Sequence, residues 1–473
     1  MPLGSVVLAA LAVAWFLFSY DYLEDDAFIH LEFARSVAEG SGFAFNGMVT
    51  NGDTAPLWAL LLAAVHSLGV GWTQSAKVAC VFGLCVALSG IWRISYDLAP
   101  ARIGSRGFAA AMVAITVINP FFVDWSFSGM ETLAAVGVSL WAIWLIFVGA
   151  PSGTRLTLGA VLVGIGPLLR PEFMLLDAIT GPVVLWKAWH LAPGQSSAGR
   201  VARVAGLTVL MVLPLISWCL YALHAFGSIV PNTNIAKRGG PLAHVAPRLA
   251  AVYAVGFPIT LALLPMGLAR LRQWRSIQPA VWILIGWPIV CILFYLADHT
   301  DVQTRYCLLS MPALTIAVFL LVSSFKGNLL FRGGLALALV VALLTVMVSV
   351  VPHVQNKKEG VHAFAAVSTF VRDNVPAQAP VAIFAIGEVA FNTRHPLVDI
   401  GGITRPGVVP YMSDRKQTLR WAKENGAQYY VGDGGVPESG ATALFSTPVP
   451  YLGWSLNPAR YRAKESLTLY KLP

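Results

Sequence analysis

Residues 21–39 read DYLEDDAFIHLEFARSVAE. Four acids in six positions follow directly on the apolar run 3–20. A helix needs about 20 apolar residues to cross the hydrocarbon core of a bilayer, so these acids stand where a first spanning helix would emerge. Beyond them, 26–39 reads as an amphipathic helix lying in the membrane interface. Ile29, Phe33 and Val37 make one stripe, and Glu32, Arg35, Ser36 and Glu39 another. Asp25 stands where an N-cap would. One cap needs one acid, however, and adjacent Asp25 and Asp26 repel at a low-dielectric surface. At least one pKa rises unless a cation or a donor intervenes. Such a pair suits general-base work as well as it suits a solvated loop.

Working outward, the chain of 473 residues is 57% hydrophobic and 12% charged, with a mean hydropathy of +0.69. Soluble domains carry about 25% charged residues. The composition therefore excludes a soluble enzyme, a disordered chain and a nucleic-acid-binding domain, despite the net charge of +9. Eleven apolar runs are long enough to span: 3–20, 74–96, 105–123, 130–149, 153–169, 172–190, 203–224, 247–268, 277–297, 305–324 and 330–352. Residues 56–70 are shorter, begin with Pro56, carry Trp58 and His66, and read as interfacial.

Charge placement supports eleven spans with the N-terminus inside. The inner loops then hold twelve basic residues, among them Arg93, Arg102, Arg106, Arg155, Arg203, Arg275, Lys326 and Arg332. Of the fourteen acids before residue 353, only Asp97 falls at the inner face, and Asp177 lies within a span. The N-terminus reads as an uncleaved first span rather than a signal peptide. Residues 353–473 are polar, with strand-like runs at 381–386, 428–432 and 465–472 and helical patterns at 360–373 and 414–425. The expected architecture is an all-α polytopic membrane domain, 1–352, followed by a small α/β domain outside, 353–473. The five cysteines have no metal spacing and read as buried packing residues.

Polar clusters after several spans converge on the same outer rim. They are Asp124 with Ser128-Gly129-Met130-Glu131, Arg170-Pro171-Glu172, Asn232 with Lys237 and Arg238, and Asp298-His299 with Asp301, Arg305 and Tyr306. Ionisable groups at membrane depth are functional candidates, although each pair alone could be a structural ion pair or a lipid-phosphate contact. His30, His66 and His299 read as neutral hydrogen-bonded side chains, with His299, between two acids, the exception. Trp58 and Trp125 are candidates for sugar stacking. Asp399, beside Gly401-Gly402, reads as a turn-fixing acid.

The ordered series resembles the GT-C membrane glycosyltransferases, in particular the terminal arabinofuranosyltransferases of the mycobacterial cell wall and their bacterial relatives. It runs Asp25-Asp26-Ala-Phe-Ile, Phe33-Ala-Arg, Glu39-Gly-Ser-Gly-Phe43, Thr54-Ala-Pro-Leu-Trp58, Ser128-Gly-Met-Glu-Thr132, Arg170-Pro-Glu172, Pro231-Asn-Thr233 with Ala236-Lys237, and Asp298 with Arg305-Tyr306. Ile386-Gly387 and Val398-Asp-Ile-Gly-Gly402 extend the likeness into the outer domain. Departures fall at Asn51-Gly52-Asp53 and Asn392-Thr393.

The resemblance implies inverting transfer of an arabinofuranose- or mannose-like sugar from a polyprenyl-phosphate donor. The acceptor would be a glycan, protein or lipid at the outer face of a bacterial inner membrane. It implies Asp25 as the general base, since that residue matches the first acid of the motif. Asp26 or Asp124 would orient the acceptor or hold a divalent cation (Mg, Mn or Ca). Arg170, Lys237 and Arg305 would meet the donor phosphate. Asp124, Glu131, Asn232, Asp298, His299 and Trp58 would contact sugar or acceptor, and the outer domain would shape the acceptor site. Two other readings compete: a lipid-glycan transporter or flippase, expected to show repeats and broken helices at a midplane site, and a lipid-glycan ligase of another fold. A ligand-binding sensor is a third, but it would not need the acids at 21–26.

Overall fold

In the computed structural model, the described residues are 13–473 except 16, 102, 192–193, 238–240, 273–276, 301, 324–335, 338–339, 433–436 and 456. Most of the expected first span therefore lies outside the described residues, as do Arg102, Arg238, Arg275, Asp301, Lys326 and Arg332.

Among the described residues, four helices can cross a membrane by length and composition: Trp72–Leu98, Ser197–Phe226, Pro279–Ala297 and the continuous helix Val340–Asn374. A fifth crossing is available if Leu242–Gly256 and Pro258–Arg270 count as one broken span. Five apolar helices of 10–17 residues pack among them, including Ser105–Val117, Thr132–Phe147 and Met311–Val322. Eleven spans are expected from the sequence; the described helices of spanning length number four or five, and the other apolar helices are shorter. Two expected spans are interrupted at a proline, and a third, 305–324, divides into Thr304–Leu308 and Met311–Val322. The run 247–268 bends by 96° at Phe257, because Pro258 has no N–H to continue the ladder and disfavours helical geometry in the residue before it. The run 105–123 stops at Ile118, and Asn119 then caps a separate helix, Pro120–Trp125, by accepting from the N–H groups of Phe121 and Phe122.

The outer surface of these helices is apolar. Leu213 and Leu220 on Ser197–Phe226 are 55% and 63% exposed, and only two residues of that helix are buried. Such a belt suits hydrocarbon rather than water. It also explains Cys85 and Cys219, which are not buried, whereas Cys80, Cys291 and Cys307 are. Helices Trp72–Leu98 and Thr132–Phe147 approach closely through small residues. A Cβ on Gly83 would lie 2.8 Å from the Ala134 backbone N, and one on Gly137 would lie 2.7 Å from that of Ala87.

The acidic stretch forms the helix Asp25–Ala38, and every residue from Ala27 to Ser36 is buried. It is therefore not a helix with one face in lipid. The helix Pro56–Ser67 and the C-terminal domain cover it from different sides. Pro56–Ser67 has 12 residues, about 18 Å at 1.5 Å per residue, short of a bilayer core of about 30 Å. Where the chain enters this region, buried Lys77 donates to the carbonyls of Ser19, Tyr22 and Phe127.

The hairpin β1 (Ala44–Phe45) and β2 (Met48–Val49) follows. The C-terminal domain carries β3 (Val381–Ile383), β4 (Leu397–Asp399), β5 (Tyr429–Gly432), β6 (Thr442–Pro450) and β7 (Lys464–Lys471), in the order β4-β3-β5-β7-β6. The pairs β3–β4 and β3–β5 are parallel, and β5–β7 and β6–β7 antiparallel. β4 and β6 were not among the sequence expectations. β4 is only three residues long, and β6 pairs at the sheet edge with most of its residues unburied, so neither carries an apolar run.

Candidate functional site

A cavity of about 340 Å³ opens among the segment 26–54, the ends of several apolar helices and one turn of the C-terminal domain. Its lining brings together Asp26, Glu131, Arg170, Lys237, Asp298 and Arg305, which come from five distant parts of the sequence. His30, Glu172, Tyr295, Tyr306 and Ile403 line it too. Phe294, Met174 and Leu175 give it an apolar side.

Two charge networks share this cavity. In the first, Arg305 Nη2 lies 2.6 Å from Asp26 Oδ2, and Lys237 Nζ lies 3.7 Å from the same oxygen. Burial would raise the Asp26 pKa, but Lys237 and then Arg305 overcome that and hold its carboxyl below the usual carboxylate range. The Arg305 guanidinium lies over the Trp125 and Tyr306 rings, at 5.2 and 5.6 Å to the centroids. Trp125 Nε1 in turn donates to Thr304 Oγ1 at 2.8 Å. In the second network, Arg170 pairs with Glu131 at 2.7 Å and Glu172 at 3.7 Å. His30 bridges Asp53 (3.1 Å) and Glu131 (3.4 Å), and Tyr295 donates to Glu172 at 3.2 Å. Burial opposes a charged His30, yet Asp53 and Glu131 push its pKa up to about 10. Two carboxylates beside it favour the charged form of His30, where a neutral side chain was expected. Asp53 lies 23 positions away, and no local spacing announced the pair.

The structure departs from the expected site at several residues. Asp25 does not line the cavity. Its carboxylate accepts from the backbone N–H groups of Gly387 (3.1 Å) and Glu388 (3.0 Å). It is also not the N-cap of its own helix, a position taken by Glu24. Burial pushes the Asp25 pKa up to about 7, against the pull of Glu388 N–H and with the added repulsion of Asp26. Asp124 lies buried outside the cavity, its Oδ2 3.8 Å from His353 Nε2, and burial raises it to about 6. Trp58 is fully buried, and its Nε1 donates to Gly129 O at 3.0 Å; no face is left for a sugar. Asn232 holds the loop, its N–H donating to Asn51 O at 2.8 Å and its side chain to Thr50 Oγ1 at 3.1 Å. His299 sits in the left-handed turn after Asp298, with φ 55°, and does not line the cavity. Asp399 fixes its turn as expected, accepting from Gly401, Gly402 and Thr404 N–H at 2.7, 3.1 and 2.6 Å.

Asp26 and Asp124, the two residues considered for a divalent cation, stand in different surroundings. Asp26 already carries two cationic side chains, and Asp124 is elsewhere. Among the described residues, no three His, Cys, Asp or Glu side chains gather so as to hold a metal ion.

Solved structures share this architecture. ArnT from Cupriavidus metallidurans bound to undecaprenyl phosphate is 14% identical and superposes with a TM-score of 0.59, over 91% of this chain and 96% of that one. This is the GT-C fold. Two further GT-C structures agree. The archaeal oligosaccharyltransferase AglB from Archaeoglobus fulgidus, in complex with an inhibitory peptide and a dolichol-phosphate, is 11% identical with a TM-score of 0.50, over 92% and 70% of the two chains. Arabinofuranosyltransferase AftD from Mycobacteria is 16% identical with a TM-score of 0.54, over 98% of this chain and 39% of that one. Within this chain, residues 353–470 match a family model described as a domain of unknown function, DUF8728. No curated protein sequence matches.

The transporter reading expects broken helices at a central site. The bent pair Leu242–Gly256 and Pro258–Arg270 contributes no residue to the cavity.

Proposed function

We propose that this chain transfers a sugar from a polyprenyl-phosphate donor to an acceptor at the outer face of a bacterial inner membrane. The observation that carries the reading is the convergence of Asp26, Arg305 and Lys237, with Arg170 nearby, in one cavity with an apolar side. A lipid-linked donor keeps its tail in the bilayer and offers an anionic phosphate at the surface. Arg305, Lys237 and Arg170 are the cations for that phosphate, and the cavity falls in the size range of small-molecule sites.

Asp26 is the carboxylate placed to meet an acceptor. In the free protein its two cationic partners make it a weak base. A donor phosphate draws on the same cations, relieves Asp26 of their charge, and lifts its basicity when the sugar is in place. Asp26 then accepts the acceptor proton as the acceptor oxygen or nitrogen attacks the anomeric carbon from the side opposite the phosphate. The C–O bond to phosphate breaks with inversion, and the electron pair leaves on the phosphate, where Arg305 and Lys237 stabilise it. Residues 1–352 form the catalytic unit in this reading, and 353–473 an extracytoplasmic domain that completes it. The sugar is of the arabinofuranose or mannose kind, and the acceptor a glycan, protein or lipid.

The test is sugar release from a panel of synthetic polyprenyl-phosphate sugars by the protein in nanodiscs. Wild type, Asp26→Asn and Asp25→Asn are run with acceptor extracts. Release from one donor, lost in Asp26→Asn, is the expected result. Consumption of no donor by folded wild type would end the proposal, and loss only in Asp25→Asn would move the base to Asp25.

A further inference from the structure

Asp25 and Asp26 are the first two residues of one helix. Successive positions on a helix point about 100° apart, so the two carboxylates leave the backbone toward different neighbours. Each neighbour neutralises one of them. Asp26 meets Arg305 and Lys237. Asp25 meets the adjacent N–H groups of Gly387 and Glu388, one to each oxygen. Glycine at 387 is what permits this contact, because a Cβ there would run into the Asp25 backbone carbonyl oxygen and lie 3.0 Å from Oδ1.

The helix Gly387–Thr393 is itself tied down. The buried Glu388 carboxylate accepts from Ser368 Oγ at 2.7 Å and Asn392 Nδ2 at 2.6 Å. At its far end, Arg35 Nη1 donates to Phe391 O at 2.8 Å while the guanidinium covers the Phe391 ring at 4.5 Å. The helix Asp25–Ala38 is therefore gripped at both ends by one short segment of the C-terminal domain.

We propose that this segment is a positioning element of the active site, with Gly387 a positioning residue that acts through Asp25 to aim Asp26 into the cavity. The proposal rests on the glycosyl-transfer reading above and assigns the C-terminal domain a part in catalysis itself, beyond shaping an acceptor site. A displacement of a reacting group by about 1 Å can cost about 10²-fold in rate. The Gly387 Cβ forces a shift of that order.

The experiment compares wild type, Gly387→Ala, Asp25→Asn and the double variant in nanodiscs, measuring kcat, donor KM and binding of undecaprenyl phosphate. Gly387→Ala should lower kcat about 10²-fold with undecaprenyl-phosphate affinity retained, since Arg305, Lys237 and Arg170 do not depend on Asp25. In the Asp25→Asn background the same substitution should cost little more, because both act through one contact. Full kcat in folded Gly387→Ala, or two losses that multiply, would overturn the proposal. If Gly387→Ala does not fold, Asn392→Ala loosens the Glu388 tether without adding atoms and should lower kcat in the same way; full kcat there overturns it.

If wild type consumes no donor, the functional reading has failed, and hydrogen exchange decides the contact separately. Asp25→Ala should speed exchange at the Gly387 and Glu388 amides and loosen residues 21–28. Unchanged protection would overturn the positioning role.

Discussion

Arg305 Nη2 sits 2.6 Å from Asp26 Oδ2, and the Arg305 side chain is 5% exposed while that of Asp26 is 29% exposed. The guanidinium is the fixed partner, lying over the Trp125 and Tyr306 rings, and the carboxylate is the open one. A donor phosphate entering the cavity therefore competes with Asp26 for a cation that is already in place. Asp26→Asn should reduce sugar transfer by about 10²–10⁴-fold, while undecaprenyl phosphate binds at least as tightly, its competitor gone. Weaker lipid-phosphate binding in Asp26→Asn would contradict the exchange.

Removing the cation should do the reverse. A hydrogen bond to a charged group contributes about 1.5–3 kcal/mol, so Arg305→Gln should weaken undecaprenyl-phosphate binding about 10- to 100-fold. Lys237→Ala should do less, because Lys237 lies 3.7 Å from Asp26 and its side chain is 31% exposed. Titration of the lipid against each variant gives the order. Equal losses would place the phosphate nearer Lys237.

His30 gives the fold a pH dependence of known sign. Its pKa stands at about 10, above the ordinary 6.5, so the folded chain holds the proton more tightly than the unfolded one. The stabilisation is full below about pH 6.5 and is lost as pH rises through about 10. The gap in melting temperature between wild type and His30→Gln should accordingly be widest below pH 6.5 and narrow toward pH 10. Parallel curves across that window would show that His30 is not charged in the folded state.

Trp58 should matter for stability and not for substrate. Trp58→Phe leaves Gly129 O without its donor, a loss of about 1–3 kcal/mol. The melting temperature should fall while donor and acceptor KM stay put; a rise in either KM would restore a sugar contact.

The close approach of two helices makes a further test. Gly137→Val drives a branched side chain into Val86 and Ala87, and overpacking of this kind costs about 1–3 kcal/mol or more. Gly107→Ala, where a Cβ meets nothing within 4 Å, should be neutral or gain about 0.5–1 kcal/mol from helix propensity. Thermal melts in one detergent compare the two directly.

The sequence by itself determined the class of molecule. With 12% charged residues and long apolar runs, nothing but a membrane-embedded helical unit buries this chain favourably. The change at residue 353 likewise announced the α/β domain, because alternation and turn chemistry are local signals. The grouping of Glu131, Arg170, Lys237, Asp298 and Arg305 with Asp26 was legible too, because each lies where a polar cluster adjoins an apolar run, and one cavity brings them together. Tertiary structure decided what a one-dimensional pattern does not carry. It broke two expected spans at Pro258 and Pro120, set His30 between Asp53 and Glu131, and buried Trp58. It also divided the acidic pair, giving Asp26 to Arg305 and the cavity, and Asp25 to two backbone N–H groups 362 and 363 positions away. Adjacent side chains on a helix share a sequence neighbourhood but not a direction, and only the packed neighbours on each side decide which of them lines the cavity.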